Sequence, residues 1–180
     1  MFKNPEDFPF TVLLEAHWQV IRDEALAVSK ERFLAWPERH LYENGWEVLG
    51  LLAFGVEIAG NTKLCPQTTA LVKQIPGIVT AGFSALQPGT HIAPHTGYAD
   101  GLLRCHLGLA GCSGCSIRVG EEIRTWTEGK CLVFDDTTEH EVWHRGHETR
   151  IVLLLDFPHP ANTPQEKNWW QQWFGGKKSQ

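Results

Sequence analysis

The chain has 180 residues, of which 42% are hydrophobic and 21% charged, and its formal net charge at pH 7 is −5. This length suits one domain with a sizeable core, and the acidic balance argues against a surface for nucleic acid or anionic lipid. No apolar run approaches the roughly 18 residues of a membrane-spanning helix, and the first ten residues do not have the pattern of a secretory signal peptide. We therefore expect one cytoplasmic domain, with no nucleic-acid, membrane or obligate protein partner.

The five cysteines are expected to be reduced thiols, because their number is odd and no secretory signal accompanies them. Cys112 and Cys115 form a CxxC motif. A four-ligand zinc site normally needs a second ligand pair at similar spacing, and none is obvious. We interpret the motif as a turn between strands, with a zinc protein as the alternative.

Residues 1–77 are predicted to be a mixed, largely helical part that packs on a β-structure. Residues 1–10 carry three phenylalanines and two prolines, which favours an extended arm. Apolar residues then recur every three or four positions from Thr11 to about Arg32, which predicts one amphipathic helix. After this helix we expect, in order, a strand over 45–55, a polar loop over 57–67 and a short helix over 68–74.

Residues 78–160 have the pattern of an all-β sandwich or barrel. Short alternating or apolar runs are separated by clusters of Gly, Pro, Asp and Thr. Strands are predicted at 78–86, 102–109, 115–120, 122–126, 130–135, 140–144 and 149–157. Residues 161–180 are predicted to form a C-terminal helix and tail, which a capping box at Thr163 opens.

Two histidines and the pattern around them are typical of a metal site. His95 and His140 are 140 − 95 = 45 residues apart, on different predicted strands that a closed β-structure can bring together. Iron oxygenases commonly use two histidines and a carboxylate two residues after the first, but here that position holds Gly97. A lone histidine is more often a surface or hydrogen-bonded residue, so the spacing alone leaves both interpretations open.

The segments PGTHIAPHTG, RCHLGL and FDDTTEHEVWH, together with the strand that begins at Arg150, resemble the catalytic domain of the aspartyl/asparaginyl β-hydroxylase family. Members of this family are iron(II)- and 2-oxoglutarate-dependent dioxygenases built on a double-stranded β-helix, a cupin-like jelly roll. The resemblance is dense from about Phe83 to Pro164 and extends weakly into the first helix. It implies oxidative decarboxylation of 2-oxoglutarate to succinate and CO₂, coupled by O₂ to hydroxylation of a C–H bond.

The resemblance also assigns roles around the metal. His95 and His140 match the two iron-ligating histidines, and Asp136 matches an aspartate that acts near the metal through water. Members of the family also have glycine where Gly97 stands, so a water molecule is expected in place of the missing carboxylate. Asp100 is expected to face solvent and to rank below water as a ligand.

The same resemblance assigns the cosubstrate pocket. Arg150 matches the arginine that holds the distal carboxylate of 2-oxoglutarate, and Ser84 matches its hydroxyl partner. Arg104 and His106 share one face of their strand, because side chains alternate with period two. They match the pair expected to contact the inner carboxylate of the cosubstrate or an acidic group of the substrate.

Departures from the family pattern bear on the substrate. Leu102 stands where animal members carry a second arginine, two residues before the match to Arg104. Only Cys65 stands in the region of the disulfide that animal members carry, and their peptide-binding repeat domain is absent. We therefore expect a small molecule, free amino acid or short peptide as readily as an aspartyl or asparaginyl residue of a folded domain.

Two other functions compete with hydroxylation. In some iron/2-oxoglutarate enzymes a glycine in place of the carboxylate leaves room for chloride, so a halogenase is one alternative, and chloride dependence would reveal it. A non-catalytic cupin-like binding protein is the other. The presence of His95, His140 and Arg150 together argues against it, because a binding protein need not keep both metal and cosubstrate groups.

Overall fold

A computed structural model describes residues 1–97 and 101–159 of the chain. The strands of the described part are β1 (Phe2–Lys3), β2 (Leu34–Ala35), β3 (Trp46–Ala53), β4 (Val56–Glu57), β5 (Thr80–Leu86), β6 (His91–His95), β7 (Leu102–Ala110), β8 (Cys115–Val119), β9 (Glu122–Thr125), β10 (Cys131–Asp135), β11 (His140–His144) and β12 (Arg150–Pro158). Its α-helices are α1 (Pro9–Ala16), α2 (Trp18–Ala27), α3 (Ala59–Thr62) and α4 (Pro66–Val72), and single 3₁₀ turns lie at Pro5–Asp7, Lys30–Arg32 and Arg39–Leu41.

The described strands form two antiparallel sheets. The larger sheet has eight strands in the order β1-β10-β7-β12-β5-β3-β2, with β4 also paired to β3. The smaller sheet has four strands in the order β6-β11-β8-β9. The pairs β3–β4 and β8–β9 are hairpins, but most other neighbouring strands, such as β12 and β5, come from distant parts of the chain, as expected for a jelly roll. The predicted mainly β, double-stranded β-helix fold is therefore confirmed.

The larger sheet is buried on both faces at its centre. Cys105, Leu107, Leu153 and Leu155 are fully buried in one core together with residues of the helices. Alternate positions on the same strands face the smaller sheet, where Val152 joins a second core. Because side chains alternate along a strand, this arrangement turns one face of β7 and β12 toward the space between the sheets.

The prediction of one helix from Thr11 to about Arg32 is wrong, because the chain forms two helices here and the second ends before Arg32. The apolar positions are buried as expected, with Leu14 and Ile21 at 0% exposure. However, the chain leaves helical geometry at His17, whose φ is −114° and ψ 13°, and α2 ends at Ala27. The His17 ring bonds through Nδ1 to the carbonyl of Leu13, 2.9 Å away, which satisfies a carbonyl at the end of α1.

The N-terminal part of the chain also belongs to the larger sheet. β1 pairs with β10 at one edge, and β3 pairs with β5 over most of its length. The polar loop predicted over 57–67 is wrong, because it contains α3. Asn61 of this helix donates from Nδ2 to the carbonyl of Gly50 at 2.8 Å, which ties it to β3.

The CxxC segment is a turn between β7 and β8, as predicted. Cys112 and Cys115 are buried and not in a disulfide, and burial raises the pKa of the Cys112 thiol to about 11. Among residues 1–97 and 101–159, no group of three or more His, Cys, Asp or Glu side chains that could hold a metal includes them. Gly111 has a φ of +61°, and a Cβ there would lie 2.3 Å from the carbonyl oxygen of Thr149, so the turn requires glycine.

Two predictions concern residues that the structure does not describe. The predicted C-terminal helix from Thr163 and the residue Asp100 are both in segments that the structure does not describe. Within residues 1–97 and 101–159, none of the helices has the length and apolar character needed to cross a membrane.

Candidate active site

A small cavity of about 20 Å³ lies between the two sheets. Six of the seven predicted site residues line it, namely Ser84, His95, Arg104, His106, His140 and Arg150. The seventh, Asp136, contacts two of them. The structure therefore brings together residues that are up to 66 positions apart in the chain.

The two histidines proposed as metal ligands face each other across a strand pair. His140 of β11 is the register partner of His95 of β6, and their ring centroids are 4.1 Å apart. In each ring Nδ1 bonds to a backbone carbonyl two residues earlier, Ala93 at 2.8 Å and Thr138 at 2.9 Å. Because Nδ1 carries the hydrogen in such a bond, the lone pair of Nε2 stays available to a metal ion.

Both histidines are held in the neutral form that binds metals. Burial and, to a smaller extent, the neighbouring His95 lower the pKa of His140 to about 3. Burial also lowers the pKa of His95. No group of three or more His, Cys, Asp or Glu side chains that could hold a metal occurs among the described residues. The pair thus supplies two protein ligands at most from the described part of the chain.

The space beside Gly97 is filled by the carboxyl group of Asp136. A Cβ at Gly97 would lie 1.8 Å from Asp136 Oδ2, and the amide of Gly97 donates to the carbonyl of Asp136 at 2.7 Å. Asp136 Oδ1 is 3.5 Å from Nε2 of His140. A carboxylate from the loop after β10 thus stands next to the position two residues after His95, where iron oxygenases commonly carry a carboxylate ligand.

Arg104 is engaged by two buried carboxylates. Its Nε and Nη2 donate to Asp156 at 2.7 and 3.1 Å. Its Nη1 lies 2.8 Å from Asp136 Oδ1. The two groups form an ion pair, but their angles do not suit a hydrogen bond. Burial raises the pKa of Asp136 to about 6, and the charge of Arg104 opposes that rise. A carboxylate of the cosubstrate or substrate that contacts Arg104, as predicted, therefore has to share its guanidinium with Asp136 and Asp156.

Asp156 was not among the predicted site residues, although the sequence carries a signal for it. It is the only acid within the apolar run Ile151–Phe157. Its register partner in the β12–β7 pair is Arg104, and its exposure is 3%. A carboxylate inside an apolar strand must be paired when it is buried, which identifies it as the partner of a nearby cation.

Arg150 is buried without a carboxylate among the described residues. Its exposure is 2%, its Nε has no hydrogen-bond partner there, and its Nη2 donates to Ser84 Oγ at 3.3 Å. Burial lowers its pKa to about 10, so the guanidinium is still charged at pH 7. Its guanidinium carbon lies 4.8 Å from the ring centroid of Trp126. An uncompensated buried cation favours an anionic ligand.

His106 and Trp46 also line the cavity, and Trp126 lies beside His106 and Arg150. Neither ring nitrogen of His106 has a partner among the described residues, and burial lowers its pKa well below the ordinary value. Trp46 donates from Nε1 to Ser84 Oγ at 3.1 Å, and the indole nitrogen of Trp126 is buried without a partner there. Nothing in a single sequence distinguishes these two tryptophans from core residues.

The metal-free protein is expected to lose stability as the pH falls below about 6.5. Burial lowers the pKa of His95, His106 and His140, so the unfolded chain binds more protons than the native one in this range. Each histidine contributes a slope of up to about 1.4 kcal/mol per pH unit. Asp136 has the opposite effect on stability between pH 3.8 and about 6, because its raised pKa makes the native chain bind the extra proton in this range.

Urea unfolding at several pH values measures how the free energy of unfolding changes with pH. His106→Phe should reduce this pH dependence, and a free energy of unfolding independent of pH would contradict the expectation.

The sequence comparisons agree with the resemblance. A family model described as Aspartyl/Asparaginyl beta-hydroxylase matches residues 15–160. The chain is 44% identical over 128 residues to the ornithine lipid ester-linked acyl 2-hydroxylase of Rhizobium tropici, covering 69% of this chain and 46% of that protein. It is 40% identical over 178 residues to the aspartyl/asparaginyl beta-hydroxylase of Homo sapiens, covering 91% of this chain and 23% of that protein. The chain thus spans less than half the length of these relatives.

A comparison of structures supports the same fold. The crystal structure of a prolyl-4-hydroxylase from Pseudomonas putida matches with a TM-score of 0.54 at 15% sequence identity. The match covers 87% of this chain and 88% of that one. At this identity the likeness shows the jelly-roll fold alone.

Proposed function

Because the chain belongs to the aspartyl/asparaginyl β-hydroxylase family, we propose that it is an Fe(II)- and 2-oxoglutarate-dependent dioxygenase. The proposed reaction hydroxylates an unactivated C–H bond of an amino acid, an aspartyl or asparaginyl residue of a peptide, or a related small molecule, and releases succinate and CO₂. The observation that carries the proposal is the cavity itself, which combines two neutral histidines with a buried arginine that has no carboxylate among the described residues.

The residues present fit a divalent metal ion. His95 and His140 would hold it through Nε2, since their Nδ1 atoms are occupied by backbone carbonyls. Asp136 stands beside this pair with Oδ1 free of hydrogen bonds among the described residues, so it can accept one from a water molecule. When bound, iron and the cosubstrate supply the O₂ activation that hydroxylation of a C–H bond requires.

The residues also fit a dicarboxylate. Arg150 would bind one carboxylate, and Ser84 would donate its own hydroxyl hydrogen to it, because the Ser84 oxygen accepts from Trp46 and Arg150. His106 has one N–H to donate in its neutral form and no partner for it among the described residues. It would contact the carboxylate nearer the metal. Binding there removes buried unsatisfied groups that cost free energy in the ligand-free protein.

Halogenation receives less support than hydroxylation. Chloride would need the room that a missing carboxylate leaves at Gly97, but Oδ2 of Asp136 lies 1.8 Å from where a Cβ at that position would be. A second anion beside this carboxylate would be repelled. A non-catalytic binding protein would account for the pocket as well, and turnover of 2-oxoglutarate separates it from an enzyme.

The test of the proposed function is succinate formation by purified protein supplied with Fe(II), ascorbate, 2-oxoglutarate and O₂. We expect slow turnover without the prime substrate, and His140→Ala should reduce it about 100-fold or more, because one of two protein ligands is lost. The matched control is His91→Ala, four residues before His95, where the side chain is half exposed and pairs with Glu141. Equal turnover by His140→Ala and the wild-type chain would remove His140 from the site.

A further inference from the structure

Part of the cavity-facing side of the larger sheet is open to solvent. Ser84, which lines the cavity, has Val48 of β3 as its cross-strand neighbour, and Val48 in turn has Leu34 of β2. Because directly paired residues lie on the same face of a sheet, these three side chains form one row. Val48 is partly buried and Leu34 is 69% exposed. The row therefore runs from the cavity onto an exposed apolar surface.

The hairpin of β3 and β4 adds two apolar side chains to this surface. Ile58 covers Gly50, which shares a strand face with Val48, because a Cβ on Gly50 would lie 2.8 Å from Cδ1 of Ile58. Val56 faces the same way as Ile58, while Glu57 between them points toward the end of α4. Val56 is 68% exposed and Ile58 38%. We name this surface the open face, and it consists of Leu34, Val48, Val56 and Ile58.

The last described residues of the chain lie on the same side of the sheet. Pro158 ends β12 two residues after Asp156, which faces Arg104, so both lie on the cavity-facing side. Val79 donates to the carbonyl of Asp156 at 2.9 Å, and Gly55, in the turn of the β3–β4 hairpin, donates to the carbonyl of Val79 at 2.8 Å. The hairpin turn is thus about two strand spacings, or about 10 Å, from β12.

Residues 160–180 follow β12 in the chain, and their sequence suits such a surface. The capping box at Thr163 predicts a helix, and Gly175 is a residue typical of a helix end. In this predicted helix four aromatic residues share one face, because they are spaced by three or four positions, namely Trp169, Trp170, Trp173 and Phe174. A helix with one aromatic face needs an apolar surface on which to bury it.

The length of this segment is sufficient to reach the open face. Residues 160–162 can span about 10 Å when extended, and a helix over residues 164–174 is about 16 Å long. A second copy of the chain offers the same aromatic residues. However, a segment tethered by a short linker acts at an effective concentration in the millimolar range, which favours contact within one chain.

We propose that residues 163–174 dock as a helix on the open face, with the aromatic side against Leu34, Val56 and Ile58. Exposed apolar surfaces of this kind commonly mark sites of interaction. Since the row that ends at Leu34 begins at Ser84, the docked helix borders the cavity on the side of β3. The C-terminal segment thereby completes one wall of the candidate active site.

Photo-crosslinking in the full chain tests this contact. Val56→p-benzoylphenylalanine places a photo-reactive group on the open face. Val12→p-benzoylphenylalanine is the matched control, because Val12 is 65% exposed. Val12 lies on α1, which also reaches the end of β12, since the rings of Phe10 and Phe157 are 4.8 Å apart. The tethered segment can therefore collide with either position, but under the proposal it docks only at position 56.

Crosslinked chains are separated by mass after irradiation, and the joined peptides are identified by mass spectrometry. We expect crosslinks to residues 163–174 within one chain to be about tenfold more abundant from position 56 than from position 12. Adding Trp169→Ala and Trp173→Ala should reduce the crosslink from position 56 to the level at position 12. Gln171→Ala, on the opposite side of the predicted helix, should leave it unchanged.

Three results would overturn the proposal. Equal crosslinking from positions 12 and 56, or none to residues 163–174, means that the segment does not dock on the open face. Crosslinks from position 56 that join two chains mean that a second copy covers this surface. A crosslink from position 56 that persists after both tryptophan changes contradicts the role of the aromatic face.

Discussion

Arg150→Met is expected to make the ligand-free protein more stable and to abolish its response to 2-oxoglutarate. The guanidinium is 2% exposed and has no carboxylate partner among the described residues. The penalty for burying a charge is several kcal/mol. The contact with Trp126 returns about 2 kcal/mol at most, and the bond to Ser84 about 1 kcal/mol. Methionine fills similar space without a charge, so the free energy of unfolding should rise by about 1–2 kcal/mol.

Thermal unfolding with and without 2-oxoglutarate measures both effects. A ligand at 100 times its dissociation constant stabilises a protein by about 2.7 kcal/mol, and this increment should disappear in Arg150→Met. Arg124→Met is the matched control, because this arginine is partly exposed, pairs with Glu122 and lies over the ring of Phe2, so its loss should lower stability by about 1 kcal/mol or less. A full response to 2-oxoglutarate in Arg150→Met would mean that the cosubstrate binds elsewhere.

Gly97→Ala is expected to disrupt the site by a single methyl group. The added Cβ would lie 1.8 Å from Oδ2 and 2.4 Å from Cγ of Asp136, so this carboxyl group must leave its place. Its displacement breaks a buried ion pair with Arg104, and breaking such pairs costs about 3–5 kcal/mol. We expect a loss of that order in the free energy of unfolding, together with loss of turnover.

A double variant identifies the cause. Gly97→Ala combined with Asp136→Gly removes the clash, so it should be less destabilised than the sum of the two single changes while remaining inactive. Gly60→Ala is the control for a glycine with nothing within 4 Å of its Cβ position. Wild-type stability and turnover in Gly97→Ala would show that Asp136 has another place to go and is not required where it stands.

Local pattern was enough to predict most of the elements. Strands β3, β5 and β7 to β12 lie where alternation and turn residues placed them, because the two faces of a strand differ in burial. The same alternation put Arg104 and His106 on one face. Two predictions failed where other contacts compete with periodicity. The single helix predicted from Thr11 is interrupted at His17. The loop predicted over 57–67 contains α3, which Asn61 ties to β3.

The sequence by itself indicated the fold class, because strand periodicity is a local property, and its resemblance to a known family identified the family and the seven residues around the cavity. Only the tertiary structure decided which of their charges are already paired. Arg104 meets Asp156 through the register of β7 and β12, and Asp136 enters the space beside Gly97 from a loop 39 residues later, since 136 − 97 = 39. Electrostatic balance depends on distances of a few ångströms between remote segments, and those distances are set by sheet register and packing.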